Sequence, residues 1–535
     1  MRHPAVLCYT VSMHPKICMT LTGKTLAEDL ALVNKYRKYI DLVELRADFL
    51  EADERLLVRD FPAMAELPCI LTIRRALDGG RFTAGEASRT MLFARTLAFG
   101  ENGNKKKFDY VDFEDDFFVP SLQDAAAIGG VRIIRSFHNM KSIVRHIGEK
   151  LESMRFFGNE IPKIACRPQS LHEAALVFGE VAQIENIRST EQIICLMGEY
   201  GFPSRVLAKQ LNSYLSYSSP EETLQNIQGI GHCSPITLEK LYRYHSINEK
   251  TAIFGIIGYP LDYTRSPELH NAAYAKRKMN AVYLPLKAQS IYGGLEFAKN
   301  ANMQGLSVTV PYKEMILPLL HRKTESVESI GACNTLVMEK DGWAGYNTDA
   351  SGFEKAILEF CAQSEQAAGK TSGKSHSVKR VAIIGAGGAA KAVAYTAHRL
   401  HWKACIFNRT VTKAKRLAEK YGFKYAKLSS DSYLLLEKYS ELIIQTTSKG
   451  LIGSSGEIQK FSPSSTEEND PLFFYEFTGK EELYDLIYSP EVTPVMSRAK
   501  RAGCHVENGY KMLEYQAEEQ IELFAAACKT FRGKQ

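Results

Sequence analysis

The sequence predicts an α/β protein: an N-terminal (β/α)8 TIM barrel, then a two-domain unit that carries a Rossmann dinucleotide fold. Three observations carry this. Eight short β-rich runs alternate with helical stretches through residues 16–245. A second α/β alternation starts near Thr251. A glycine turn at 385–390 follows an apolar strand. At about 150 residues per domain, with barrels reaching about 250, a chain of 535 residues holds two to four domains.

The barrel strands are expected at 16–22, 42–48, 69–75, 110–114, 132–138, 163–167, 192–198 and 211–217. Between the first two, 25–39 places Leu26, Leu30 and Val33 at helical spacing. Eight such units in this length match a closed barrel; an open eight-stranded parallel sheet is the alternative. Barrel function sits at the C-terminal strand ends, where Glu44, Arg46, Arg74, Glu114 and His138 fall. Lys163 fits less well, because it opens its expected strand.

Residues 252–258 form a strand ending in glycine, and α/β alternation continues to about Gly352. Residues 362–379, rich in Gln, Ser, Gly and Lys, read as a linker. Residues 453–470 read as a surface insertion. A closing helix is expected over 509–532, with Met512, Leu513, Ile521 and Phe524 at helical spacing. The expected domains are 1–247, 251–352 completed by 509–535, and 353–508.

Residues 381–390 read V-A-I-I-G-A-G-G-A-A, a buried strand entering G-x-G-x-x-A. Gly385 allows the tight turn, and Gly387 lets backbone approach a pyrophosphate. Gly388 and Ala389 open the helix whose N-terminus faces phosphate. Such a fingerprint alone is common, but a second apolar strand, 404–407, follows at the expected distance. An NAD site places an acid after that strand. Here Asn408, Arg409 and Thr410 follow, with Lys413 close behind. Cations in place of the acid favour NADP, with Arg409 on the 2′-phosphate. The plain alternative is a solvated loop cation.

Composition excludes several classes. Hydrophobic residues at 45% and charged residues at 24% suit a globular protein rather than a disordered, collagenous or disulfide-built one. The net charge of +6 is small beside 67 basic and 61 acidic residues. The run Lys105, Lys106, Lys107 reads as a solvated turn, so nucleic acid is not an expected partner. No apolar run approaches the roughly 18 residues of a membrane span. No signal peptide is expected. The 11 cysteines include no C-x-x-C pair and read as reduced thiols, hence a cytoplasmic setting and no metal site.

Residues 251–535 resemble shikimate dehydrogenase along nearly their whole length. The resemblance rests on 258–271 (GYPLDYTRSPELHN), 305–313 (GLSVTVPYK), 331–336 (GACNTL), 345–352 (GYNTDASG), the glycine turn, 408–410, 484–490 and 509–517. Residues 16–245 resemble type I 3-dehydroquinate dehydratase through Glu44-Leu45-Arg46, Arg74 with Asp78-Gly79-Gly80, Ser136-Phe137-His138, Lys163 and Ser204-Arg205. A fusion of the two is a known bifunctional arrangement, and the two reactions are consecutive.

The first resemblance implies that Lys163 forms a Schiff base with a β-hydroxy ketone, turning its carbonyl into an electron sink. It implies that His138 moves the α-proton and that Arg205 clamps the carboxylate. Met197 matches a pocket methionine. Glu44 is expected to orient His138 or a hydroxyl; Arg46 and Arg74 are expected to hold hydroxyls or the carboxylate. The family's A-P-G-Q loop is missing from 218–237. Gln228 is the candidate glutamine by distance from Arg205, while Pro235 takes that place if the following helix is matched.

The second resemblance implies Lys313 and Asp349 as the proton-handling pair. Thr264 and Ser266 match carboxylate ligands, with threonine where serine is usual. Thr309, Asn334 and Gln516 match hydroxyl ligands, and Tyr488 lies near the carboxylate. Ser307 stands for a common asparagine. Gln445-Thr446-Thr447 replaces N-A-T on the nicotinamide side. Gly509 opens the closing helix at the cofactor. The implied function is dehydration of 3-dehydroquinate to 3-dehydroshikimate, then reduction to shikimate with NADPH. Rival readings are quinate oxidation by the second half, and a metabolite-binding regulator derived from such enzymes.

Overall fold

The structure is a computed structural model that describes residues 14–98, 106–156, 160–185, 187, 190–227, 230–261, 264–367, 378–451 and 465–532. Lys105, Gln228, Tyr263, the stretch 368–377 of the expected linker and 453–464 of the expected insertion lie outside them, as does the N-terminus. The chain divides into two compact units. One is Met1–Ile253 with Tyr274–Met303; the other is Phe254–Ala273 with Gln304–Gln535.

The first unit holds eight parallel strands: β1 Lys16–Leu21, β2 Leu42–Arg46, β3 Cys69–Thr72, β4 Tyr110–Glu114, β5 Arg132–Asn139, β6 Ile161–Cys166, β7 Ile193–Leu196 and β8 Leu215–Ser218. Their order is β7-β6-β5-β4-β3-β2-β1-β8. The ends nearly meet: Gln192 bridges Ser213, and the Tyr214 amide donates to the Gln192 carbonyl at 2.6 Å. This is the barrel rather than the open sheet. The strands read as short buried runs because helices cover the outside and side chains fill the inside. The first helix, Leu26–Tyr36, starts in a capping box of Thr25 and Glu28.

β2, β3 and β7 end two or three residues sooner than expected, and two strand starts shift by more than one residue. β6 begins at Ile161, before Pro162, so Lys163 is its third residue and not its first. Pro162 hides this start, since proline is rare within strands. β8 begins at Leu215, not 211, because Leu211 is buried in the turn that precedes it.

Residues 274–303 group with the first unit, and their strand Ala281–Lys287 stands next to Ala252–Gly258 in strand order. The helix Ile291–Asn300 packs on the barrel helix Leu171–Gln183. Phe297 meets Phe178 edge-on at 5.0 Å between centroids, and Asn300 donates to the Ala175 carbonyl at 2.8 Å.

In the second unit, Gly305–Val308 lies parallel to Ala252–Gly258 and antiparallel to Thr335–Glu339, which pairs with Gly342–Tyr346. A six-stranded parallel sheet follows, in the order Lys424–Lys427, Lys403–Asn408, Arg380–Ile384, Leu442–Gln445, Glu482–Asp485, His505–Asn508. Numbered along the chain this is 3-2-1-4-5-6, the Rossmann order, with the switch point at Arg380–Ile384. The closing helix, Tyr510–Arg532, buries Leu513, Ile521 and Phe524, and Phe524 stacks on Phe254.

The linker expectation is corrected at its start. The helix Thr348–Ala367 runs across the boundary expected after Gly352 and through 362–367, where Ala, Gln and Glu favour helix. Among the described residues, no helix is long and apolar enough to cross a membrane.

Candidate active sites

Alternation along the barrel strands stacks inward residues in tiers. Cys18, Leu42, Ile70, Tyr110, Ile134 and Ile161 make an apolar floor. Two residues on come Thr20, Glu44, Thr72, Asp112, Ser136 and Lys163. Two further on come Arg46, Arg74, Glu114, His138 and Ala165. The polar tiers lie toward the C-terminal strand ends, where a barrel opens.

Lys163, 4% exposed, donates to Asp112 Oδ2 at 2.9 Å and stands 4.0 Å from Glu44 Oε1. Its ammonium lies over the Tyr217 ring, 4.3 Å from the centroid. Arg74 donates to Asp112 and Glu114, each at 2.9 Å, and to Ser136 Oγ at 3.0 Å. Removal from water would raise the Asp112 carboxyl; Arg74 and Lys163 beside it instead hold it well below the usual carboxylate range. Buried charges survive only when paired in this way.

His138 differs from its neighbours. Its Nδ1 is sealed from water and has no hydrogen-bond partner among the described residues. Loss of hydration, then the charges of Arg74 and Lys163, push the imidazole well below its ordinary value, with Asp112 opposing. The site therefore places a neutral ring nitrogen near a buried amine.

Glu44, Arg74, His138 and Lys163 line one cleft, together with Arg46, Met197, Cys195, Tyr217 and His232. Arg46 is anchored by Asp48 through two bonds of 2.9 and 2.8 Å. Arg205 lies beneath this wall, donating to Cys195 Sγ and, at 3.1 Å, to the Ile230 carbonyl; its Nε has no partner among the described residues. Glu44 accepts from Thr20 at 2.9 Å and Thr72 at 2.8 Å, which are the partners it has in place of His138. Sequence reasoning missed Asp112, Tyr217 and His232. Asp112 had a signal: it sits two residues before Glu114, on the same strand face.

In the second unit, Lys313 lies in the short helix Tyr312–Met315 after Gly305–Val308, and Asp349 lies in the first turn of Thr348–Ala367. A helix N-terminus favours a carboxylate. Lys313 donates to Asp349 Oδ2 at 2.6 Å. Asn334 donates to Asp349 Oδ1 and Thr348 Oγ1, both at 2.9 Å, and to Gln516 Oε1 at 3.3 Å. Gln516 reaches this group because Gly352 lets the closing helix come close; a methyl there would stand 2.8 Å from the Gln516 amide nitrogen. One turn further along, the unexpected Gln520 accepts from Ser307 and donates to Thr335, each at 2.8 Å.

The loops after Ala252–Gly258 and Gly305–Val308 run side by side, the Thr309 amide donating to the Ile257 carbonyl at 3.0 Å. Thr264 accepts from the Ser266 amide at 3.3 Å. Tyr488, its hydroxyl raised by burial, is hydrogen-bonded by the Arg265 backbone, so it joins Thr264 and Ser266. Gly509 packs tightly on the Leu486 carbonyl nearby.

The glycine turn fits a dinucleotide. Gly385 has φ +118°, and a methyl there would stand 2.4 Å from Thr446 Oγ1, so only glycine suits. Gly387 faces open space, and the helix Gly388–Arg399 behind it has no side-chain cap. Its free amides can take phosphate. A methyl at Gly388 would lie 3.3 Å from the Lys313 side chain, which sets this turn beside Lys313 and Asp349. Ala389 is half-buried in the first helical turn. Arg409, Thr410 and Lys413 are exposed after Lys403–Asn408, and Asn408 donates to the Thr410 carbonyl at 2.9 Å.

Comparison with known proteins agrees in both units. The type I 3-dehydroquinase family matches residues 17–249; the shikimate dehydrogenase substrate binding domain matches 256–336; the shikimate/quinate 5-dehydrogenase family matches 366–475. The chain is 30% identical over 501 residues to a chloroplastic bifunctional 3-dehydroquinate dehydratase/shikimate dehydrogenase of Arabidopsis thaliana, covering 90% of this chain and 77% of that one. It is 34% identical over 275 residues to an NADP(+) shikimate dehydrogenase of Maridesulfovibrio salexigens, covering 51% and 90%. A solved dehydroquinate dehydratase and shikimate dehydrogenase structure from S. pombe aligns over 98% of this chain and 99% of that one, with 20% identity and a TM-score of 0.39. With matches to both halves in one continuous relative, the chain belongs to the bifunctional 3-dehydroquinate dehydratase/shikimate dehydrogenase family.

Proposed function

We infer that the first unit dehydrates 3-dehydroquinate to 3-dehydroshikimate through Lys163, and that the second reduces 3-dehydroshikimate to shikimate with NADPH. The observation that carries the first step is a buried lysine in one cleft with a neutral His138 whose Nδ1 has no partner among the described residues. The Lys163 ammonium gives up one proton and its amine attacks the ketone; that proton returns to the carbinolamine hydroxyl, which leaves as water, and a protonated imine remains. His138 takes the α-proton, and the electron pair moves toward the imine as an enamine. The enamine expels the β-hydroxyl, which leaves as water with the proton held by His138. Water then hydrolyses the protonated imine, which frees the enone and restores the Lys163 ammonium. Arg205 takes the substrate carboxylate, and Arg46, Arg74 and Glu44 fix its hydroxyls. Borohydride added with 3-dehydroquinate should trap an adduct on Lys163 and stop dehydration; an adduct that persists in Lys163→Ala would overturn the assignment.

In the second unit, NADPH supplies a hydride when bound. The turn Gly385, Gly387, Gly388 and Ala389 holds its diphosphate on free helix amides. Arg409 and Lys413, with Asn408 and Thr410, hold the 2′-phosphate, and Gly509 borders the nicotinamide side. Lys313 gives a proton to the substrate oxygen as it becomes a hydroxyl, and Asp349 holds Lys313 in place. Thr264, Ser266 and Tyr488 take the carboxylate; Thr309, Asn334 and Gln516 take the ring hydroxyls. A cytoplasmic setting suits the ten cysteines of the described residues, all free.

A further inference from the structure

We propose that His232 is a substrate-binding residue of the dehydratase cleft, holding a ring hydroxyl of 3-dehydroquinate through Nε2. The proposal rests on the reading of the first unit as the dehydratase. His232 lies on the segment between β8 and the turn Thr237–Leu241, and it lines the same cleft as Lys163 and His138. The ring is held on two sides. Nδ1 is 2.8 Å from Ser219 Oγ. The plane lies parallel to the Tyr217 ring, with 5° between planes and 6.3 Å between centroids. Tyr217 in turn faces the Lys163 ammonium. Lysine, tyrosine and histidine are thus fixed relative to one another along one wall. With Nδ1 engaged, Nε2 is the ring atom with no partner among the described residues.

Charge narrows the ligand. Removal from water, then Arg205, Lys163 and Arg46, keep the His232 imidazole neutral. Nearby, Arg205 donates to the carbonyl of Ile230, two residues before His232. The guanidinium is the matched partner for a carboxylate, through charge and fork geometry. A neutral imidazole is the matched partner for a neutral hydroxyl: Nε2 donates when Ser219 donates to Nδ1, and accepts when Ser219 accepts from it. His232 therefore reads a hydroxyl beside the carboxylate held by Arg205. It does so from a stretch that lacks the loop motif expected there.

The test uses the full chain and two substitutions that separate the two ring nitrogens. His232→Asn keeps a polar atom near the Nδ1 position and removes the one at Nε2. His232→Gln extends an amide to about the Nε2 position. Losing one neutral hydrogen bond to substrate should raise the KM for 3-dehydroquinate about tenfold in His232→Asn. Turnover at saturation and borohydride trapping on Lys163 should stay close to wild type, and His232→Gln should recover most of the KM. Reduction of 3-dehydroshikimate by each variant checks that the chain is folded. Unchanged KM in His232→Asn, or equal losses in both variants with reduction intact, would overturn the proposal. A wild-type chain that neither dehydrates 3-dehydroquinate nor traps with borohydride would instead remove the dehydratase reading beneath it.

Discussion

Asp112 sets the charge balance around Lys163. It accepts from Lys163, Arg74 and Ser136, and both of its oxygens are engaged. Asp112→Asn would leave two buried cations short of a counter-charge. Breaking such a pair costs about 3 kcal/mol or more, so chemical denaturation should show a large loss of first-unit stability along with the loss of dehydration. A variant as stable and active as wild type would mean the carboxylate is dispensable. His138 bears on pH. Its folded value is depressed, so the imidazole stays a free base as pH falls through the ordinary histidine range, and the rate is lost only when pH reaches the lower folded value. Dehydration measured against pH should therefore lack an acid limb centred near ~6.5. A limb centred there would show His138 titrating like an exposed histidine. At this scale the sequence is partly legible. Glu44, Arg74, His138 and Lys163 stand in recognisable motifs. Asp112 needs the strand face to be known, and His232 needs the fold, because nothing local marks a loop histidine as facing a cleft.

The elements proposed to bind the cofactor make a sharper contrast. Gly385 and Gly387 are two residues apart in the same turn, yet they meet opposite surroundings. Gly385→Ala forces a positive φ and a clash with Thr446, so the second unit should lose more than about 1 kcal/mol in thermal or chemical unfolding. Gly387→Ala meets open space, so stability should hold while the KM for NADPH rises, because the methyl points where phosphate must come. Equal stability losses in both would contradict the fit. Arg409→Ala should raise the KM for NADPH by about tenfold or more, the scale of a hydrogen bond to a charged group, and leave that for NADH nearly unchanged. Equal losses with both cofactors would make Arg409 structural. Strands were easier to read than their ends. β4 matches its expected span, whereas β6 and β8 shift because Pro162 masks one start and Leu211, buried in a turn, extends the apparent run of the other. The helix Thr348–Ala367 outruns its expected end because 362–367 reads as linker by composition while its residues still favour helix.

Over the whole molecule, the groups proposed for each chemistry lie within one unit. Lys163, His138 and Asp112 belong to the first; Lys313, Asp349, Asn334 and the glycine turn belong to the second. Lys313→Ala should cut reduction by orders of magnitude, since the lost group acts in the transition state, and leave dehydration nearly intact. The chain would then accumulate 3-dehydroshikimate, visible as enone absorbance; a parallel fall of dehydration in a folded variant would contradict separate sites. Alternation and the glycine turn made the barrel and the Rossmann fold legible. The packing of Phe178 against Phe297 was not, because no local pattern announces it. The bifunctional assignment as a whole is tested most directly by giving the purified chain 3-dehydroquinate and NADPH alone and following NADPH absorbance. Steady NADPH loss with shikimate as the product is the expected result. A folded chain that leaves NADPH unchanged with 3-dehydroquinate, yet consumes it with 3-dehydroshikimate, would contradict the dehydratase assignment; no consumption with either substrate would contradict both.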